Sequence, residues 1–385
     1  MVNILISLTF SLVLKFIATL LTCVAILPSL NAQFLKGTAF ETSFHYGRIL
    51  KHTPKFEAAI TGKTYGIEFN LVKNTYGAQP WQQLHKYPII GYALSYFNFG
   101  DNEIWGSAVA VMPNFTLQFL KKKHFHMHFR LGTGIAFLSK PFDKVSNPTN
   151  NVIGSHLNNV TAFRLGFGWH LTKQWTLQTS GSYTHFSNGG TTQPNLGINV
   201  PSLNIGLKYT PQPVTPEDLI HYDSIPAKDK KIHFDLGFSV GFRESRVTGG
   251  PPFPHYIGTF TVHRMINRVN RLHLGFEYEY PMSQVAFIQH VEQFETRKES
   301  RLAPMRFSIQ AADEVILGRV SFMFILGAYL TQNDYQSFWV YAKLGTRYYI
   351  PFGKPGSHHK VHFGLYMKSH KAVAEHIAGG VGVQF

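Results

Sequence analysis

The sequence predicts an all-β protein, a transmembrane antiparallel β-barrel of roughly 14–16 strands behind an N-terminal signal peptide. Three observations carry that prediction. Only 15% of the 385 residues are charged while 15% are aromatic, and there are 33 glycines; this balance suits strands that are apolar on one face only. From about residue 35 the chain repeats stretches of alternation, each closed by a turn and long enough for a tilted crossing strand of roughly 9–11 residues. The ending Val381-Gly382-Val383-Gln384-Phe385 alternates to a terminal aromatic. It resembles the C-terminal signal by which barrel-assembly machinery recognises outer-membrane proteins.

Residues 1–32 read as the export signal: an apolar stretch from Phe16 to Leu30 follows Lys15, and Ser29-Leu30-Asn31-Ala32 offers small residues for cleavage. The single cysteine, Cys23, lies inside it, so the mature chain has no disulfide, cysteine-ligated zinc or thiol nucleophile. Strand candidates begin near 35, 61, 86, 104, 123, 158, 173 and 198, and after a break near 231, 255, 270, 315, 335, 358 and 371. Turns such as Gly100-Asp101-Asn102 and Asn333-Asp334 separate them. Closure favours an even number of strands, so this odd count lacks one, and the stretch 284–314 is where it would lie. There Val285, Phe287, Ile288, Val291 and Phe294 also fit a short amphipathic helix that plugs or caps the barrel. The Pro- and charge-rich piece from Pro211 to Lys231 is the clear interruption. We read 33–385 as one barrel, with a motif-bearing half 33–211, a linker 212–231 and a second half 232–385, because neither half obviously closes alone.

Parity distinguishes a membrane barrel from a soluble sandwich. Phe163, Leu165, Phe167 and Trp169 alternate with Arg164, Gly166, Gly168 and His170, as Leu203, Ile205 and Leu207 do with Asn204, Gly206 and Lys208. Charged and amide side chains on the inward face imply a polar lumen. His126 and His128, in line with His124, then face that lumen opposite Phe125, Met127 and Phe129, which is a simpler account than a metal site. His358, His359 and His362 surround a turn and are read the same way; Glu277 and Glu279 are lumenal too. The formal charge of +15 fits an anionic glycolipid surface. An exported chain with scattered Lys and Arg has no use for nucleic acid.

One strand breaks the pattern. Along 173–187 the even positions Thr176, Gln178, Ser180, Ser182 and Thr184 are polar and lumenal, while the odd face begins with Trp175 and Leu177. That lipid-directed face then ends in Tyr183, His185 and Ser187. A spacing of two puts His185 and Ser187 side by side, and polar groups facing lipid are costly unless they sit at the membrane boundary or do chemistry. A serine beside a histidine base is one such chemistry.

The run His185-Phe186-Ser187-Asn188-Gly189-Gly190, followed by Gln193-Pro194-Asn195-Leu196-Gly197-Ile198, resembles the signature of the PagL-type lipid A 3-O-deacylases. It also resembles that of the related barrel proteins known as acyloxyacyl hydrolases. The resemblance implies an outer-membrane ester hydrolase acting on lipid A in lipopolysaccharide, among outer-membrane lipids of a Gram-negative bacterium, with no metal or organic cofactor. It implies Ser187 as nucleophile, His185 as general base, and Asn195 with the backbone N–H groups of Asn188 and Gly189 at the oxyanion. Where the family carries a catalytic glutamate this chain has Asn199, on the same face as His185. An amide can orient an imidazole but cannot neutralise imidazolium charge. The only carboxylate between Glu103 and Glu217 is Asp143, in a loop. The competing expectation is a catalytically silent barrel, a porin or structural protein, that retains the motif.

Overall fold

The computed structural model describes residues 35–223, 225, 229–244, 248–331, 338–354, 357–371 and 373–385. The export signal with Cys23 and the Asn333-Asp334 turn lie outside them. Among the described residues the motif-bearing half forms β1 (Thr38–Gly47), β2 (Thr64–Asn74), β3 (Ile89–Asn98), β4 (Ser107–Phe119), β5 (Phe125–Leu138), β6 (Leu157–His170), β7 (Trp175–Ser187) and β8 (Ile198–Tyr209). The second half forms β9 (His233–Glu244), β10 (Pro252–Met265), β11 (Asn270–Pro281), β12 (Arg306–Leu317), β13 (Val320–Tyr329), β14 (Val340–Pro351), β15 (Lys360–His370) and β16 (Val373–Gln384). All neighbours pair antiparallel.

The strand total meets the expectation, but the closure differs from it: the sixteen strands make two closed barrels of eight. β1 pairs with β8 from Phe40↔Tyr209 to Gly47↔Ser202, and β9 pairs with β16 from Ile377↔Phe242 to Gln384↔Asp235. Because β8 is bonded to β7 on one side and β1 on the other, it has no free edge for β9. Pro211, Pro213 and Pro216 follow directly, and proline cannot donate to a continuing ladder. The strand missing from the sequence count is β12, which begins inside 284–314 as expected and runs to Leu317. It was obscured because Asp313 interrupts its outward face, where Asn270 Nδ2 donates to both carboxylate oxygens at 2.9 and 3.0 Å. The helix expected beside it is present as Met282–His290 (α2), with Val285 and Ile288 buried, packed on β10. A shorter helix, Arg297–Leu302, follows it.

Inward and outward faces follow the predicted parity, with Phe163, Leu165, Phe167 and Trp169 exposed and Arg164 buried. His126 and His128 are buried in the lumen, while His124 lies exposed in the preceding turn. An eight-stranded barrel is just wide enough for side chains to fill, and both lumens are filled by ion pairs. In the first barrel Arg130 reaches Glu41 at 2.6 Å and Arg164 reaches Glu68 at 2.9 Å. In the second, Arg271 meets Glu314 at 2.9 Å and Arg306 meets Glu375 at 2.8 Å, with Lys343 on Glu277 and Lys368 on Glu279. The single polar lumen anticipated for one barrel is replaced by two packed ones.

Long loops cluster at one end of the first barrel. Beneath them the lumen is apolar: Phe56, Phe97, Phe99, Trp105, Leu138, Ile153 and Phe186 form one core. The barrels touch at both ends. At the long-loop end the Gln193 N–H donates to Glu244. At the other, His85, just past the helix Pro80–Leu84 (α1), contacts the Ile316 carbonyl at 2.8 Å.

Candidate active site

β7 and β8 carry the motif. The register His185↔Asn199 puts these two residues opposite each other across the pair; Thr161 of β6 pairs with His185 and Thr133 of β5 with Thr161. All four occupy outward positions, so a polar row crosses the outside of four strands near the long-loop end. Below it lie Phe163 and Tyr183, paired across β6 and β7. Most of the remaining outer wall is apolar, as lipid requires; Asn159 extends the polar row, bonded to Thr133 and Thr161.

Between His185 and Ser187, Phe186 points inward and is fully buried, edge-on to Phe97 and Phe99 at 5.7 and 5.5 Å. That anchor fixes the end of β7. The chain then turns through Gly189 (φ +69) and Gly190 (φ +85), a conformation glycine adopts without penalty. Asn188 builds the turn: its Oδ1 accepts from Gly190 N at 2.9 Å, and its Nδ2 donates to Thr192 O at 2.8 Å and Ser155 Oγ at 3.0 Å.

His185 Nδ1 is 2.6 Å from Asn199 Oδ1. A carboxamide oxygen only accepts, so Nδ1 carries the proton and Nε2 keeps its lone pair. Ser187 Oγ donates to Asn195 Oδ1 at 3.1 Å and accepts from the Gly189 N–H at 3.1 Å. The direct imidazole–hydroxyl contact suggested by the spacing is therefore replaced here by a bond to Asn195. Active-site hydrogen bonds of this kind commonly tighten only once substrate is bound. Asn195 Oδ1 also accepts from the Asn188 N–H at 3.1 Å, so of the two backbone groups expected at the oxyanion, that of Gly189 is the one on Ser187. Asn195 itself is held by a bridge to Ile153.

Two participants escaped sequence reasoning. His52, in the loop between β1 and β2, stands 3.0 Å from Asn199 Nδ2. Glu244, from the second barrel, holds the active-site loop at Gln193 and also accepts from the Gly249 N–H at 2.6 Å. Neither could have been found from local spacing. In contrast Asp143 serves its own loop, its carboxyl held below the usual range by the N–H groups of Ser146 and Val145. Ser187 is only 3% exposed, and two residues further on Gly189 lies against Ile377 of the second barrel.

A metal finds one candidate among the described residues, Asp229, His233 and His358 at the far mouth of the second barrel. His233 meets Asp229 at 2.8 Å and the Phe385 carbonyl at 3.1 Å, so both of its ring nitrogens already have protein partners. The Lys231 N–H and then His233 hold the Asp229 carboxyl below the usual range.

The fold defines an outer-membrane β-barrel protein, with His185, Asn199 and Ser187 grouped at one end of an outer wall. Residues 65–208 match the model of the lipid A 3-O-deacylase (PagL) family, and residues 232–385 match that of the acyloxyacyl hydrolase C-terminal domain. The chain belongs to this PagL and acyloxyacyl hydrolase family. No curated protein matches it. Among solved structures, the outer membrane enzyme PagL is 20% identical, covering 43% of this chain and 97% of its own, with a TM-score of 0.32. Neisserial surface protein A is 8% identical, covering 46% of this chain and 97% of its own, with a TM-score of 0.31.

Proposed function

We propose that the protein hydrolyses an acyl ester of lipid A in the outer leaflet of the outer membrane, with Ser187 as nucleophile and His185 as general base. One observation carries this reading: the polar row containing His185 and Asn199, with Ser187 beside it, lies on the lipid-facing wall at the long-loop end. In outer-membrane barrels that end faces outward. Polar groups there have a purpose if the substrate is itself a lipid.

Ser187 Oγ attacks the ester carbonyl while His185 Nε2 takes its proton. The resulting oxyanion accepts from the Gly189 N–H and from the Asn195 NH₂, the Asn195 oxygen staying on the Asn188 N–H. Collapse breaks the bond to the sugar oxygen, which leaves as the alcohol with the proton from His185. Water, deprotonated by His185, then cleaves the acyl-serine and releases the fatty acid. The porin alternative is disfavoured by two lumens filled with side chains. We expect Ser187→Ala and His185→Ala each to cut ester release from purified lipopolysaccharide by roughly 10³-fold or more, with heat-modifiable mobility unchanged. Mass spectrometry of the lipid A reads the outcome, and full activity in Ser187→Ala would refute the assignment.

A further inference from the structure

We propose that His52 is a positioning residue that, with Asn199, replaces the missing carboxylate by locking His185 in its basic tautomer. The inference rests on the deacylase reading above and concerns how its base is prepared. Asn199 alone is a poor orienter, because an amide presents either its oxygen or its NH₂ to a neighbour and nothing intrinsic chooses between them. If the NH₂ faced His185, Nδ1 would have to accept, and the proton would move to Nε2, where it would block general-base catalysis.

The bonds around His52 remove that freedom. His52 Nε2 is 3.1 Å from the Leu196 carbonyl, which only accepts; the ring proton is therefore on Nε2, and Nδ1 is an acceptor. Asn199 Nδ2 donates to that Nδ1 at 3.0 Å. With its NH₂ so engaged, Asn199 turns Oδ1 to His185 Nδ1 at 2.6 Å, and Nε2 of His185 is left unprotonated. A longer contact of 3.3 Å between His52 Nδ1 and Leu50 O is the weaker competitor. The relay begins on fixed backbone. Leu196 N donates to Val152 O at 2.8 Å, and Leu50 N donates to Asn199 O at 2.8 Å, which brings the His52 loop along the edge of β8. His52 also packs edge-on to Phe56 at 6.0 Å, and Phe56 is fully buried in the apolar core.

The test compares full-length protein carrying His52→Phe, His52→Gln, Asn199→Glu, and His52→Phe combined with Asn199→Glu. The readouts are kcat and KM for ester release from lipopolysaccharide, with Ser187→Ala as control and heat-modifiable mobility as the check on closure. Phenylalanine keeps the ring but has no nitrogen, whereas glutamine offers an acceptor for Asn199 and a donor for Leu196. His52→Phe should lower kcat about 10- to 100-fold with KM within about twofold, the range found for partners that orient a reactive imidazole. His52→Gln should recover most of that loss. In the Asn199→Glu background, where a carboxylate can only accept from His185, the Phe substitution should have little effect. A His52→Phe variant with kcat near wild type, or an equal loss in the Asn199→Glu background, overturns the relay. Activity surviving in Ser187→Ala instead overturns the deacylase reading itself.

Discussion

At the scale of single residues, the site depends on close approach as much as on chemistry. Gly197 has φ +82, and a Cβ built there would lie 2.6 Å from His185 Cε1. Gly197→Ala is therefore expected to displace the imidazole, at a cost of about 1–3 kcal/mol in local strain. It should reduce ester release while the barrel keeps its heat-modifiable mobility, and unchanged kcat would show that the ring has room to move. Much of this neighbourhood was legible in the sequence. A period of two is enough to put His185, Ser187 and Asn199 on the outer wall, and the register confirms that face. His52 was not legible, because the bond that matters spans a sequence separation of 147 and depends on which atom of an amide faces which ring. Its signal in the sequence is one histidine among 20.

The turn joining β7 and β8 is an element shared by two barrels. Its Gln193 N–H is bound by Glu244 at the end of β9, and its Gly190 lies against the backbone of Glu375 in β16. Glu244→Ala should leave the Gln193 donor without its carboxylate, a loss of about 1–3 kcal/mol. Hydrogen exchange at residues 189–193 should quicken and ester release should fall, while the first barrel stays closed. Protection equal to wild type would mean that the turn holds itself. A carboxylate at this loop was invisible from the 103–217 stretch because it enters from a strand that follows the linker. β12 escaped for a related reason: two short helices precede it, and Asp313 spoils the alternation that betrays its neighbours.

For the molecule as a whole, each lumen holds a buried ion-pair cluster. Lys368 is fully buried beside Glu279, with Glu277 and Glu375 at 3.8 and 3.9 Å. Lys368→Met would leave three buried carboxylates sharing two buried cations, Lys343 and Arg306, and should destabilise the second barrel by about 3–5 kcal/mol. The temperature of its heat-modifiable shift should fall; an unaltered shift would show that the charges are balanced elsewhere. That strands existed, and roughly how many, could be read from composition and period. That they close twice could not, since closure depends on which distant edges meet. The Pro-rich linker was the one local trace of it. The contact of Gly189 with Ile377 has a further consequence for traffic in the membrane. A lipid confined to one leaflet approaches a barrel only by lateral diffusion, and here one sector of the compass around Ser187 is occupied by a neighbouring cylinder. Encounters are then directional. The capture rate depends on how freely lipids turn the corner between the two walls as well as on how many are present.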